Sequence, residues 1–242
     1  MTQIVSLVEA FDSFISGCKA DGTWDSLRAS CVIAGWSNLS GALTPLRPAF
    51  DKGPTSVNFV NADYNSEFGL LGNGVDKYLN TNRDNTTDLR NNKHLSVYLT
   101  SGMSATSIEV ALGSRGLAGI LPSGTSLLYT NADNNMYYEV NTTSLTDTPV
   151  ISGVGSLPGF IGATRSGSAS FIARGNGTEI LASQSSLAPV SGAYAVFART
   201  PESPDRYSTC RLTFYSIGLS VDLGLLDRRT TILMSGIQNA IT

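Results

Sequence analysis

The chain has 242 residues, one histidine (His94) and three cysteines (Cys18, Cys31 and Cys210). Those residues, with the carboxylates and tyrosines, limit the chemistry it can carry. A serine nucleophile needs an imidazole beside it and often sits on a G-x-S-x-G elbow. His94 opens the alternating run Lys93-His-Leu-Ser-Val-Tyr98, and no such elbow accompanies it. A strand-end histidine is the expectation. A glycosidase needs two carboxyl groups flanking the scissile bond, one protonated and one ionised. The compact E-x-D-x-x-E strand that supplies them in sandwich glucanases is missing. Glu109 and Glu139 stand alone in strand-like runs, so both are expected to be solvated or edge-strand carboxylates.

Metal and phosphate sites fare no better. No C-x-x-C pair occurs, and one histidine cannot complete a zinc set with three scattered cysteines. Asn131-Ala-Asp-Asn-Asn135 has a single carboxylate and is expected to be a turn, with an Asn/Asp carbonyl site for calcium as the open alternative. Gly72-Asn-Gly74 lacks the following helix and Lys-Ser/Thr of a phosphate loop. Tyr129, Tyr137, Tyr138, Tyr207 and Tyr215 could stack on sugar rings. Strand alternation points Tyr137 and Tyr138 to opposite faces, so core or edge packing is the first expectation and a sugar platform the second. The sequence thus assigns no catalytic residue, metal ligand or cofactor, and leaves the ligand-binding residues unknown.

Composition narrows the class. Apolar residues make up 41% and charged residues only 14%, with Gly, Ser, Thr and Asn taking the difference. That is a turn-rich β protein with a neutral polar surface, which suits docking inside a larger assembly, where charge would need desolvation. Net charge is −3, and Arg228-Arg229 is the only adjacent basic pair, which excludes a basic face for nucleic acid. Glu9 and Asp12 near the start argue against a signal peptide, and no apolar run reaches membrane-spanning length, so no membrane insertion is expected. The cysteines then read as reduced, buried thiols, with a Cys18–Cys31 bridge as the alternative. Sequons at Asn38, Asn85, Asn141 and Asn176 read as turns rather than glycan sites.

The elements follow from periodicity. Ile4, Leu7, Phe11, Phe14 and Cys18 recur at helical spacing, and Trp24, Leu27, Cys31 and Ala34 do so again. Residues 1–35 are therefore expected to form a short helical hairpin. Pro45, Pro48 and Pro54 make 36–68 an extended arm with at most edge strands. Asn73-Gly74 has the residues of a tight hairpin turn and is expected to join the first strand pair. Further strand runs lie at 94–100, 107–114, 126–130, 136–141, 160–164, 169–174, 178–182, 193–199 and 207–217. Short strands at this spacing indicate an antiparallel two-sheet sandwich or jelly roll over 69–221. Residues 222–242 read as a C-terminal helix, with Asp222 as N-cap, packed on the same domain or on a partner.

Three blocks then carry a family resemblance. The first runs from Cys18-Lys-Ala-Asp-Gly-Thr-Trp24 through Cys31-Val-Ile-Ala-Gly35. The second is Asn61-Ala-Asp-Tyr64 with Gly69-Leu-Leu-Gly-Asn-Gly74 and Lys77-Tyr-Leu-Asn-Thr-Asn82. The third is Phe160-Ile-Gly-Ala163 with Phe214-Tyr-Ser-Ile-Gly218 and Leu225-Leu-Asp-Arg-Arg229. In order and spacing they resemble the concanavalin A-like, LamG-like jelly-roll domains of tailed-bacteriophage structural proteins. The resemblance implies a non-enzymatic virion protein made in the host cytoplasm: a tail fibre, a spike, or a head decoration or cement subunit. It implies other virion proteins as partners and a homo-oligomer, most plausibly a trimer. A lectin-like module recognising host surface glycans is the alternative it leaves open. No binding residue carries over from it.

Overall fold

A computed structural model describes residues 6–115, 124–142, 148–200 and 204–241. Ile4, the first residue of the expected helical stripe, and Thr242, the last of the expected C-terminal helix, lie outside the described residues. Helix α1 (Leu7–Ala20) starts on a capping box: the Ser6 hydroxyl accepts from the Glu9 N–H at 3.2 Å, and the Glu9 carboxylate accepts from the Ser6 N–H at 2.7 Å.

The second arm of the expected helical hairpin is a strand. Trp24–Ser26 make one short turn, and Leu27–Val32 form β1. Helical spacing is present there, but so is alternation: Ala29, Cys31 and Ile33 enter the central core. Antiparallel pairing with the last strand of the chain satisfies the backbone and buries those side chains, and this tertiary gain overrides the local pattern.

After the single turn α2 (Leu39–Ala42), capped by Asn38, the arm adds β2 (Thr55–Val57) and β3 (Tyr64–Asn65). There follow β4 (Gly69–Leu71), β5 (Tyr78–Asp84), β6 (Lys93–Ser101), β7 (Val110–Ser114), β8 (Thr125–Thr130) and β9 (Met136–Thr142). The remaining strands are β10 (Val150–Ile151), β11 (Gly159–Arg165), β12 (Phe171–Gly175), β13 (Thr178–Ala182), β14 (Ala193–Val196) and β15 (Arg211–Gly218). The chain closes on α3 (Leu223–Ile241), where the Asp222 carboxylate accepts from the Leu225 N–H at 2.9 Å.

Among the described residues these strands form two antiparallel sheets. The eight-stranded sheet runs β13-β12-β11-β6-β15-β4-β3, with β1 also on β15; the seven-stranded sheet runs β10-β9-β8-β7-β14-β5-β2. The arm strands β2 and β3 sit at sheet edges, where a proline-interrupted segment belongs.

Asn73-Gly74 makes its turn but no hairpin. Gly74 takes φ +69°, and the Asn73 side-chain oxygen accepts from the N–H groups of Val75, Asp76 and Lys77. Yet β4 belongs to one sheet and β5 to the other. The turn carries the chain across the sandwich, because β4 finds β15 and β5 finds β14.

Alternation then builds three layers. Leu95, Val97 and Leu99 of β6 point between the sheets with Leu128, Tyr138 and Tyr215. Tyr98 of β6, Phe160 and Phe214 point the other way and pack with Phe14 of α1 and with Leu226, Leu233 and Ile237 of α3. Both helices therefore cover the outer face of the eight-stranded sheet. A bidentate pair, Asp21 with Arg229 at 2.7 and 2.9 Å, ties them together. All three cysteines are free and buried; Cys18 lies in the helix layer and Cys31 between the sheets, so no bridge joins them. No helix among the described residues is long and apolar enough to cross a membrane.

Candidate functional site

The structure disperses the residues singled out in the sequence. His94 is fully buried under the helices, with Nδ1 against the Leu219 carbonyl and Nε2 2.9 Å from the Ser216 hydroxyl. Burial pushes its pKa down to about 4. It is a neutral, hydrogen-bonded structural imidazole with no route to a substrate.

Glu109 and Glu139 are not solvated, against expectation: both are buried. Glu109 accepts from the Ser107 and Ser208 hydroxyls at 3.1 Å and from the Thr209 N–H and hydroxyl at 2.9 Å. It staples the loop before β7 to the loop before β15. Such a carboxylate is saturated with donors, which suits a clamp and not an acid that must deliver a proton. Glu139 accepts from the Thr125 hydroxyl.

Asn131–Asn135 is the expected turn. Ala132 and Asn134 take positive φ, the Asp133 carboxylate accepts from Tyr137 at 2.6 Å, and Asn134 accepts from the Ser156 N–H at 2.8 Å. No cluster of metal-ligating side chains occurs among the described residues. Two of the sequons, Asn85 and Asn141, are buried in the fold; Asn38 caps α2 and Asn176 sits in a tight turn. The tyrosines divide as strand alternation requires. Tyr138 and Tyr215 are core; Tyr129 and Tyr137 lie on the outer face of the seven-stranded sheet, stacked with centroids 5.3 Å apart and planes at 24°. Tyr207 faces Tyr78 at 6.4 Å.

Among the described residues, two surface clefts bear on function. One, of about 530 Å³, lies where β1 and β5 approach and is lined by Ala29, Phe50, Asp51, Lys52, Asn82 and Arg83 among others. Asp51 and Arg83 are already engaged. Asp51 accepts from the Ser30 and Gly53 N–H groups at 3.0 and 2.9 Å, and Arg83 is bidentate to Asp88. The Phe50 ring carries Arg28 and Arg47 guanidiniums at 4.4 and 4.5 Å, so it is no free platform.

The second cleft, of about 220 Å³, is on the outer face of the seven-stranded sheet. Arg115, Arg199 and Arg206 line it with Tyr129, Asn131 and Glu139. Strands set some of these positions and loops the others. Tyr129 and Glu139 stand on β8 and β9, and Arg115 directly follows β7. Arg206 is held in the left-handed region at φ +53° by its carbonyl, which accepts from the Val110 N–H at 2.9 Å. Arg199 pairs with Asp205 at 2.7 Å through Nε and through a second, shorter contact. Burial lowers the Arg199 pKa; Asp205 opposes that shift, and the nearby Arg115 and Arg206 charges add to it. Burial, with the Glu139 charge, pushes the Tyr129 phenol up, so it stays a neutral hydroxyl.

No family model and no curated protein matches the chain. Solved structures do. The botulinum neurotoxin serotype D binding domain superposes with a TM-score of 0.55 at 14% identity, over 86% of this chain and 51% of that one. The fold is a jelly-roll sandwich. This chain spans about half the length of that toxin domain. Looser matches are the Ruminococcus gnavus IT-sialidase CBM40 (TM-score 0.46, 10% identity, 65% of this chain and 95% of that one) and the enzymatically active domain of bacteriophage CBA120 tailspike protein 2 (0.45, 13%, 74% and 29%).

Neither cleft is lined by two carboxylates: Asp51 is alone in one and Glu139 in the other. The two-carboxyl geometry of glycoside hydrolysis is therefore absent from both. The second cleft instead collects hydrogen-bonding groups around an aromatic edge, which is the equipment of a binding site. Sequence reasoning had Tyr129, Asn131 and Glu139 in view and missed all three arginines. Arg115 is far in the chain from Arg199 and Arg206, no motif joins them, and β7 and β14 run antiparallel, so no local signal pairs Arg115 with Arg199.

Proposed function

We propose that this chain is a non-catalytic carbohydrate-recognition module that takes its ligand in the arginine cleft. The observation that carries the reading is the convergence of Arg115, Arg199, Arg206, Asn131, Glu139 and Tyr129 in one surface cleft on a rigid sheet. Guanidinium, amide and carboxylate groups are planar and bidentate, so they match vicinal sugar hydroxyls, and a tyrosine adds an apolar face with a polar tip. A glycan array probed with the labelled intact chain tests it. A defined set of glycans should be retained, and Tyr129→Ala should weaken that binding about tenfold, the effect of losing one well-packed aromatic contact. An array with no retained glycan overturns the reading, and release of new reducing ends from any glycan overturns its non-catalytic part.

The finer reading is a virion role: a tail fibre, spike or head decoration subunit made in the host cytoplasm, displaying this module and assembling as a homo-oligomer, with a trimer as the expected form. The sequence resemblance to tailed-phage jelly rolls supports it. So do the exposed apolar side chains Val60, Phe68, Leu71 and Val75, which flank the β3–β4 end of the eight-stranded sheet and give a partner something to cover. Light scattering on the eluting chain should report a multiple of the 25.5 kDa protomer. A monomer at all concentrations removes the oligomer from the reading.

A further inference from the structure

We infer that the arginine cleft selects sugars bearing a single carboxylate, an inference that rests on the carbohydrate-recognition reading above. Several arginines elsewhere in the fold are committed. Arg47 pairs with Asp25, Arg83 with Asp88, Arg174 with Asp227 and Arg229 with Asp21, while fully buried Arg165 donates to backbone carbonyls of Val140, Ser170 and Gln184. In the cleft, Arg199 is committed to Asp205, but the Arg115 and Arg206 side chains make no hydrogen bond or ion pair among the described residues. Two guanidiniums with no side-chain partner among the described residues, beside a third, repel one another. A guanidinium presents a planar fork of N–H donors that fits a carboxylate through two parallel bonds.

Charge counting sets the ligand's charge. Three guanidiniums face the carboxylates of Glu139 and Asp205, which leaves one formal positive charge in the site. A monoanion neutralises it. A dianionic phosphate would exceed it and would also meet Glu139. That carboxylate instead suits sugar hydroxyls, which can donate to it, and the Asn131 amide can both donate and accept. The arrangement thus calls for a carboxylate and neighbouring hydroxyls on the same small ring, as in a uronic or sialic acid.

Titration calorimetry on the intact chain tests this with three probes. They are an oligosaccharide ending in a uronic or sialic acid, the same oligosaccharide with its carboxyl reduced to an alcohol, and a sulfated counterpart. The acidic sugar should bind at least about tenfold more tightly than its reduced form, the scale of one charge-assisted hydrogen-bond pair. Arg115→Gln and Arg206→Gln should each erase much of that difference by weakening the acidic sugar far more than its reduced form, while thermal unfolding stays as in the parent. Equal binding of acidic and reduced sugars overturns the carboxylate inference and leaves carbohydrate recognition standing. A preference for the sulfated sugar also overturns it. Failure to bind any sugar overturns the underlying reading instead.

Discussion

The two outer faces of the sandwich have opposite fates. On the eight-stranded sheet, Tyr98, Phe160 and Phe214 are roofed by α1 and α3, and the polar groups beneath, His94, Ser96 and Ser216, hydrogen-bond in a closed chain. On the seven-stranded sheet, Tyr129 and Tyr137 stack on the outer face and three arginines gather beside them. One face is finished by the chain itself; the other keeps donors in reserve. The lesson is that helices bracketing a β domain decide which sheet remains free to bind, because each sheet has a single outward surface.

If the roof is structural and the cleft is functional, perturbations on the two faces should separate cleanly into stability and binding. The largest effect is expected at Phe214, buried against Phe14 at 6.1 Å. Phe214→Ala should lower stability by about 3–5 kcal/mol in urea unfolding, the usual result of removing a core phenylalanine. A loss under about 1 kcal/mol would mean that the helices do not seal this face.

Next is pH. His94 has its folded pKa lowered to about 4 by burial, so between the ordinary value of 6.5 and about 4 the unfolded chain binds the proton more readily. Stability should be full above pH 6.5 and fall by roughly 3 kcal/mol as pH drops towards 4. His94→Gln should flatten that segment of the profile, and an unchanged slope would show that the imidazole is not sealed in.

A smaller effect is expected at Glu109, which clamps the loop after Arg206 but does not itself line the cleft. Glu109→Ala strips its clamp from Ser107, Ser208 and Thr209 and should cost about 1–3 kcal/mol. It should leave sugar affinity nearly intact; a matching loss of affinity would couple the clamp to the site. Smallest in stability is Arg206→Gln, on an exposed loop and with no side-chain partner among the described residues. It should change unfolding by less than about 0.5 kcal/mol while weakening binding.

Legibility in the sequence followed locality. The meander 159–182 is where it was expected, because its turns at 165–168 and 175–177 are short and each strand pairs with its neighbour in sequence. The Asn73-Gly74 turn was equally plain as a turn, but turn chemistry cannot say which sheet the next strand joins. Leu27–Val32 carried both helical and alternating spacing, and its partner β15, nearly two hundred residues away, decided between them. Burial of Glu109 and Glu139 was invisible because the hydroxyls and amides that satisfy them come from distant loops and strands. The arginine cleft was invisible for the same reason: Arg115, Arg199 and Arg206 meet only after β7, β8 and β14 have assembled.

The pairing of β1 with β15 also bears on how the protein is born. Leu27 meets Gly218 across that ladder, so on the ribosome β1 must wait for nearly two hundred further residues to emerge. Throughout that interval the apolar stripe of α1 has no α3 to pack on, and the β15 slot between β6 and β1 stays empty. Vectorial synthesis therefore leaves α1 and β1 unpartnered, and the nascent chain is expected to depend on holding factors until β15 arrives.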